Sequence, residues 1–211
     1  MYREDRGLAV TSVRPMNAYG PRQSAPEPYG NSKVRKIVPS FVCSALSGVP
    51  MPVYGDGSQI SDSVYVGDVA KVFVKALEEA ANGNVPNHPI DVGNLIPTSV
   101  LDVAKMVQKF VPNSEIEFRQ MRAGEPFGGA LNTQDKLLDV VDAISRTNPD
   151  LDRKNIRRVT RELGTVVSAD VTTLESIGVD YKNFVTLEDG IQETVSWFRE
   201  QEYISWTKPS K

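Results

Sequence analysis

The sequence has a single cysteine, a single histidine and no long apolar run, and each scarcity excludes a class of protein. Since Cys43 is the only cysteine among 211 residues, no disulfide can form within the chain and a thiolate zinc site is excluded. His88 lies between prolines in VPNHPID, where a Ser-His-Asp arrangement has no visible partner. We therefore predict no metal site, and a buried structural thiol at Cys43.

Charge of one sign is also lacking. The chain carries 24 Lys and Arg against 27 Asp and Glu, and neither end is a basic arm, so nucleic acid is not an expected partner. The apolar runs are too short to span a membrane, and MYREDRG has no apolar stretch after its charges. With 40% hydrophobic residues, the composition predicts a soluble, cytoplasmic protein with a sizeable core.

Strand and helix patterns alternate along the chain. LAVTSV, Leu8 to Val13, is a β-branched run typical of a buried parallel strand, and Pro89 to Val92 is a second short strand. The sequence SEIEFRQM alternates like a further strand. Helices are predicted at Arg35 to Ser47, from about Val69 to Gly83, and after two capping pairs, Ser99 with Asp102 and Thr186 with Asp189. This order predicts an α/β fold with too few parallel strands for a complete doubly wound sheet.

The segment 127–165 differs from the rest of the chain. Its residues 132–163 show two helical patterns separated by TNPD, and the second places Arg153, Arg157 and Arg161 on one face. A solvated basic face is the simpler interpretation, and a lid that brings positive charge to a ligand is the alternative. The predicted organisation is thus residues 1–126 with 166–211, and a helical insertion at 127–165.

Six motifs in a fixed order carry a resemblance. They are RPMNAYGPRQ, KIVPSFV, PVYGDGSQISDSVYVGDVA, IDVGN, RAGE and TLEDGIQETVSWF. In this order and at this spacing they resemble the C-terminal half of the extended short-chain dehydrogenases, the NAD-dependent nucleotide-sugar epimerases and dehydratases. The resemblance implies a partial Rossmann-type parallel sheet joined to the smaller α/β substrate-binding domain. It also implies that the N-terminal dinucleotide-binding half is absent from this chain.

The resemblance implies a nucleotide-sugar site. Asn17 matches a residue that contacts the diphosphate side of the substrate, and Arg122 and Glu125 match residues at the diphosphate and the ribose hydroxyls. Positions lining the base correspond to Lys36, Ile37, Pro52 and Tyr54, and backbone near the nicotinamide corresponds to Pro15 and Met16. Cationic donors suit a diphosphate and a carboxylate suits hydroxyls. From the residues alone, Asn17 could instead cap a turn, Arg122 could be a surface charge, and Tyr54 could belong to the core.

Two positions depart from the family pattern. Ser61 stands where the family usually has an arginine that contacts the diphosphate, so one cationic partner is lost. Asp91 stands where many relatives have asparagine, and we expect a carboxylate there to repel phosphate.

No catalytic residue is predicted. Tyr29 and Lys33 spell the family's Tyr-x-x-x-Lys pair, but they lie among prolines after the Asn17 loop, and no Gly-rich dinucleotide turn is found. NAD or NADP would then bind mostly through the other half, on the same or a separate polypeptide.

The predicted function is the nucleotide-sugar-binding portion of a sugar epimerase or dehydratase, which oxidises a sugar carbon transiently before epimerisation or loss of water. Alone, such a chain is expected to be inactive. A stand-alone binding or assembly module is the alternative, and an unstable truncated product is a third.

Overall fold

A computed structural model of the chain describes residues 5–94, 96, 98–121, 128–129, 166–167 and 172–201. The described elements alternate between strand and helix. In chain order they are β1 (Val13–Pro15), α1 (Ile37–Leu46), β2 (Met51–Tyr54), β3 (Ile60–Ser61), α2 (Val66–Ala81), β4 (Ile90–Val92), β5 (Thr98–Ser99), α3 (Val100–Phe110), β6 (Ile116–Arg119), β7 (Gly128–Gly129), β8 (Val166–Val167), α4 (Thr172–Glu175), a 3-10 turn (Tyr181–Asn183) and α5 (Leu187–Arg199).

The described strands form three small sheets in which parallel pairing dominates. β1 pairs with β4 and β2 pairs with β6, both in parallel. The third sheet has the order β5-β3-β7-β8, with β3 antiparallel to β5 and parallel to β7. The predicted α/β class with parallel strands is therefore confirmed.

The predicted strand at Leu8 to Val13 was wrong in its bounds. β1 starts only at Val13, where the pairing Val13 to Ile90 begins, and it runs on to Pro15. Leu8 is 51% exposed, so the apolar run before Val13 is not buried. The start of a strand is set by its hydrogen bonds to the neighbouring strand. Among the described residues, the bonds between this segment and β4 start at the Ser12 carbonyl, which accepts from the Ile90 N–H at 2.8 Å.

The capping pairs in the sequence do begin helices. The Ser99 hydroxyl oxygen accepts from the Asp102 backbone N–H at 3.0 Å, and Thr186 accepts from Asp189 N–H at 3.1 Å. Each hydroxyl also donates to the aspartate carboxylate of its own pair. These bonds satisfy backbone donors that a helix start leaves without partners, so both predicted starts are confirmed.

Among the described residues, buried apolar side chains form two clusters. The first cluster is built by α1, β2, α3 and α5, and it includes Phe41, Met51, Val53, Val107, Ile191 and Phe198. The second lies between α2, β4 and α4, and it includes Val64, Val72, Ile90, Val92, Leu174 and Ile177. Cys43 lies in the first cluster as predicted, and burial raises the pKa of its thiol from 9.0 to about 12.

The helical patterns predicted within residues 132–163, including the basic face of Arg153, Arg157 and Arg161, lie outside the described residues. In the predicted insertion, Gly128–Gly129 is described, and it is a strand parallel to β3 rather than part of a helix. β7 pairs in turn with β8, so both ends of the segment meet in one sheet. In the part of the chain described here, no helix is both long and apolar enough to cross a membrane.

Candidate functional site

Two neighbouring cavities bring together five of the residues predicted for the site. Ile37, Pro52 and Tyr54 line a cavity of about 60 Å³ between α1, β2 and the start of α3. Ile37 also lines a second cleft of about 20 Å³, together with Asn17 and Lys36. Because Ile37 lines both, we treat the two neighbouring cavities together as one candidate site, which we call the α1 site.

Side chains of β2 alternate between the core and the larger cavity. Met51 and Val53 are buried in the first cluster, whereas Pro52 and Tyr54 are half-buried and face the cavity. Phe41 of α1 and Val100 of α3 add apolar surface. Tyr54 is therefore a cavity residue and not a core residue, and the walls suit a flat, largely apolar ring.

Gln59 is a cavity residue that the sequence did not reveal. It is only 5% exposed, and its Nε2 donates to the Tyr54 carbonyl at 2.8 Å and to Met121 Sδ at 3.2 Å. Its Oε1 is buried and has no hydrogen-bond partner in the described part of the chain, and the same holds for the Ser40 hydroxyl oxygen. Both residues line the larger cavity. Two buried polar atoms without a described partner thus belong to residues that line this cavity.

Asn17 organises the backbone at one end of the α1 site. Its φ of 28° lies in the left-handed region, which asparagine tolerates better than most residues. Its Nδ2 donates to Ser61 Oγ at 2.9 Å and to the Asp62 carbonyl at 3.3 Å. The buried Asp62 carboxylate accepts from Asn94 N–H at 2.9 Å. Ser61, where an arginine was expected, is therefore part of a network joining the ends of β1, β3 and β4.

Asp91 does not present an unpaired negative charge. Arg14 donates to both of its oxygens, from Nε at 2.6 Å and from the terminal nitrogen at 2.9 Å. The bond to Asp91 raises the pKa of the Arg14 guanidinium. Since a bidentate pair neutralises the carboxylate locally, the expected repulsion of phosphate by Asp91 is corrected: the residue is an ion-pair partner at the β1–β4 edge.

Pro15 and Met16 lie at the carboxyl end of the β1–β4 pair. Pro15 is exposed, and the Met16 N–H donates to the Val92 carbonyl at 2.8 Å. This edge is the carboxyl end of a parallel strand pair, the place where ligands bind in open α/β sheets. Within the described ranges β1 leads into a long loop rather than directly into a helix, so a pyrophosphate cradle is not found there.

The remaining predicted residues are placed as follows. Tyr29 lies in a turn and Lys33 in a bend, so neither is on a helix and the loop interpretation is confirmed. Arg122 and Glu125 lie outside the described residues. Lys36 is exposed at the smaller cleft, and Arg35, which the sequence did not single out, is exposed at the larger cavity. No cluster of three or more metal-ligating side chains occurs among the residues placed by the structure.

Sequence comparisons with known proteins find relatives of this chain. Residues 1–93 match the sequence model of the "NAD dependent epimerase/dehydratase family". The UDP-N-acetyl-alpha-D-glucosaminuronate decarboxylase of Bacillus cytotoxicus is 29% identical over 198 residues, 93% of this chain and 48% of that enzyme. A trifunctional UDP-glucose 4,6-dehydratase, epimerase and reductase of Arabidopsis thaliana is 36% identical over 124 residues, 57% of this chain and 17% of that enzyme.

A solved structure supports the fold assignment. The UDP-glucuronic acid 4-epimerase of Bacillus cereus, crystallised with UDP-glucuronic acid and NAD, matches with a TM-score of 0.62 over 94% of this chain and 48% of that one. At 20% identity this similarity concerns the fold alone.

This chain spans less than half the length of each of these three relatives, at 48%, 17% and 48%. The sequence relatives are nucleotide-sugar dehydratases, epimerases and decarboxylases, and the matched family is NAD-dependent. The correspondence to a C-terminal half stays a prediction, since the family match lies in the first 93 residues of this chain. A separate NAD-binding polypeptide finds no support in these comparisons.

Proposed function

We propose that this chain forms the nucleotide-sugar-binding portion of an NAD-dependent enzyme that epimerises, dehydrates or decarboxylates a nucleotide-linked sugar. The observation that carries the proposal is the α1 site itself. Residues from three separate motifs, Asn17, Ile37 and Tyr54, meet at one pair of cavities although they are far apart in sequence. Similarity to nucleotide-sugar enzymes over 93% of the chain supports the same conclusion.

The base of the nucleotide occupies the larger cavity. Pro52, Tyr54 and Phe41 offer flat or rigid apolar surface to a ring, and Ile37 separates this cavity from the smaller cleft. The diphosphate lies along Arg35 and Lys36, whose cationic heads are exposed and lie at the cavities. Two adjacent cations compensate for the arginine that Ser61 replaces.

The sugar then extends towards Pro15 and Met16, at the carboxyl end of β1. Asn17 holds this end in place because its amide hydrogens bond to Ser61 and to the Asp62 carbonyl. NAD, when bound beyond this edge, supplies the hydride acceptor for a sugar carbon. We assign Arg122 to the diphosphate and Glu125 to the ribose hydroxyls, as their motif implies. The proton-transfer pair belongs to a dinucleotide-binding half that acts together with this chain.

Titration calorimetry of the chain with UDP-glucose tests the proposal. We expect binding in the wild type and a loss of about tenfold or more in affinity for Lys36→Glu, because a cation beside the diphosphate becomes an anion. Lys182→Glu is the matched control, because Lys182 lines neither cavity. This variant should bind UDP-glucose with the affinity of the wild type. If the wild type binds no nucleotide sugar, or if both variants lose affinity equally, the α1 site is not a nucleotide-sugar site.

A further inference from the structure

One side of α2 is apolar and lies open to solvent. Among the described residues ten large apolar side chains are exposed, and six of them lie on α2 or in the segment just before β1. We call these six residues the α2 surface: Leu8, Val10, Val66, Phe73, Val74 and Leu77. Exposed apolar residues are normally scattered singly over a protein, and a cluster of them marks an interaction surface.

Two mainly apolar grooves, each of about 480 Å³, follow this side of the helix. The first lies between the second half of α2 and residues 9–13. The second lies beside the first turns of α2, at Val66 and Ala70, and is closed by residues 18–23. Since Val66, Phe73 and Leu77 recur at helical spacing, the two grooves are joined by one apolar stripe. A partner can therefore seat several side chains along the length of the helix.

β1 has an open edge beside this surface. In the described part of the chain, β4 is its only neighbour in the sheet. The Ile90 N–H donates to the Ser12 carbonyl, and the Met16 N–H donates to the carbonyl of the last residue of β4. Alternate residues of a parallel strand bond to the same neighbour, so the N–H and carbonyl of Val13 point to the opposite edge. Val13 also lines the first groove, and an open strand edge is a template for pairing with another chain.

The charges of α2 do not oppose an identical partner. Lys71 forms an ion pair with Asp68, and Lys75 forms one with Glu79, both within the helix. Glu78 is the only other charged residue of α2. Two copies of a surface with many charges of one sign would repel each other, whereas the charges around this surface are nearly balanced.

The size of the α2 surface suits a pair of copies. Its exposed fractions run from 38% for Val66 to 72% for Leu77. Six such side chains, at roughly 100 Å² each, offer about 600 Å² on one chain and about 1,200 Å² in a pair, which is the lower end of a specific protein–protein interface. Pairing of the two β1 edges adds to this area.

We propose that the α2 surface is an interface between two copies of this chain, in which the α2 helices pack by their apolar stripes and the β1 edges pair in antiparallel about Val13. In such a pair the Val13 N–H of each copy donates to the Val13 carbonyl of the other. A two-fold arrangement uses both open edges at once, so the assembly closes at two copies. This inference is independent of nucleotide binding and goes beyond the proposed function.

Sedimentation velocity of the full chain over a range of concentrations tests the interface. We expect the wild type to have the mass of two chains at micromolar concentrations. Leu77→Glu should weaken the dimer by about a hundredfold or more, because a carboxylate is then buried without a partner. Phe118→Glu is the matched control, since Phe118 is likewise exposed and lies on an edge strand, β6, outside the α2 surface. This control should remain dimeric.

Amide hydrogen exchange tests the strand pairing. The Val13 amide should exchange slowly in the dimeric wild type and quickly in Leu77→Glu, because the variant lacks the acceptor from the second copy. The Ile90 amide donates to the Ser12 carbonyl within one chain, so it should stay protected in both proteins. Its protection shows that the variant is folded.

The outcomes decide between a dimer and other occupants of this surface. A wild type that stays monomeric overturns the inference and leaves the dinucleotide-binding half as the candidate occupant. Growth beyond two copies with rising concentration also overturns it, as does equal dissociation of Leu77→Glu and Phe118→Glu. A Val13 amide that exchanges quickly in the wild-type dimer overturns the strand pairing. Since none of these measurements involves a nucleotide, they leave the test of the proposed function unaffected.

Discussion

Asp68 is a buried carboxylate that connects the two apolar clusters. It lies in the first turn of α2, and one oxygen accepts from the Val185 backbone N–H at 2.7 Å, just before α5. The other accepts from Lys71 Nζ at 2.8 Å, and the Lys71 side chain is 70% exposed. The carboxylate is fully buried whereas the lysine is largely solvated. The bond to the Val185 N–H should therefore contribute more to stability than the ion pair with Lys71.

Replacing these two residues separately measures that difference. Asp68→Ala should lower the free energy of unfolding by about 2–3 kcal/mol, because the Val185 N–H is left without its partner. Lys71→Ala should cost less than about 1 kcal/mol, since the lysine is largely solvated and water screens its charge. Urea denaturation of both variants gives the two values. Equal losses would mean that the ion pair, and not the backbone bond, stabilises this junction.

At the residue scale, three residues named from the family motifs line one cavity, whereas the polar contacts around it were not anticipated; their role towards a nucleotide stays a prediction. Ile37, Pro52 and Tyr54 were identified from their motifs, and all three line the same cavity. Gln59 was not, because its importance depends on the Tyr54 carbonyl and on burial, which local sequence does not specify. Asp91 was misjudged for the same reason: its partner Arg14 is 77 residues away in sequence.

At the scale of elements, local signals were reliable where local contacts decide the structure. The caps of α3 and α5 are made by residues three positions apart, so the sequence contains both partners. The bounds of β1 are set by its pairing with β4, which begins at Val13. The apolar run before Val13 has no strand partner among the described residues, so it gave the wrong bounds. Strand bounds therefore required the tertiary structure.

The cap of α5 offers a direct test. Thr186→Ala should lower the free energy of unfolding by about 1 kcal/mol, because the Asp189 N–H loses its acceptor. For a chain of this length the melting temperature should fall by roughly 2–4 °C. Thr186→Ser keeps the hydroxyl and should melt close to the wild type. If serine and alanine are equally destabilising, the methyl group rather than the cap stabilises α5.

At the scale of the whole molecule, three buried or partly buried groups retain protons that the unfolded chain releases. Burial raises the pKa of Cys43 from 9.0 to about 12. Burial, followed by the hydrogen bond to Glu193, raises the pKa of Tyr65 from 10.0 to about 12, and burial also raises the pKa of Tyr19. Below pH 9 both states hold these protons. Above it the unfolded state alone loses them, so the stability falls as pH rises.

The thiol should dominate the first part of this decrease. Between pH 9 and 10 the unfolded wild type releases roughly one proton, from Cys43, that the folded protein keeps. We therefore expect its free energy of unfolding to fall with a slope approaching about 1.4 kcal/mol per pH unit. Cys43→Ala is less stable at pH 8 but should show a flatter profile up to pH 10, above which the tyrosines act in both proteins. Urea denaturation at several pH values measures both profiles; parallel profiles would exclude the thiol as the cause.

The first apolar cluster has a consequence for the synthesis of this protein. Its members range from Tyr19 to Phe198, and the Tyr19 hydroxyl reaches the Leu187 carbonyl across 168 positions of the chain. On the ribosome, α1, β2 and α3 emerge long before α5, which covers them. Their apolar faces stay open to solvent or to a chaperone until translation has passed α5. Completion of this core is thus a late, post-emergence event, and a ribosome stalled before residue 187 would present an uncovered apolar surface.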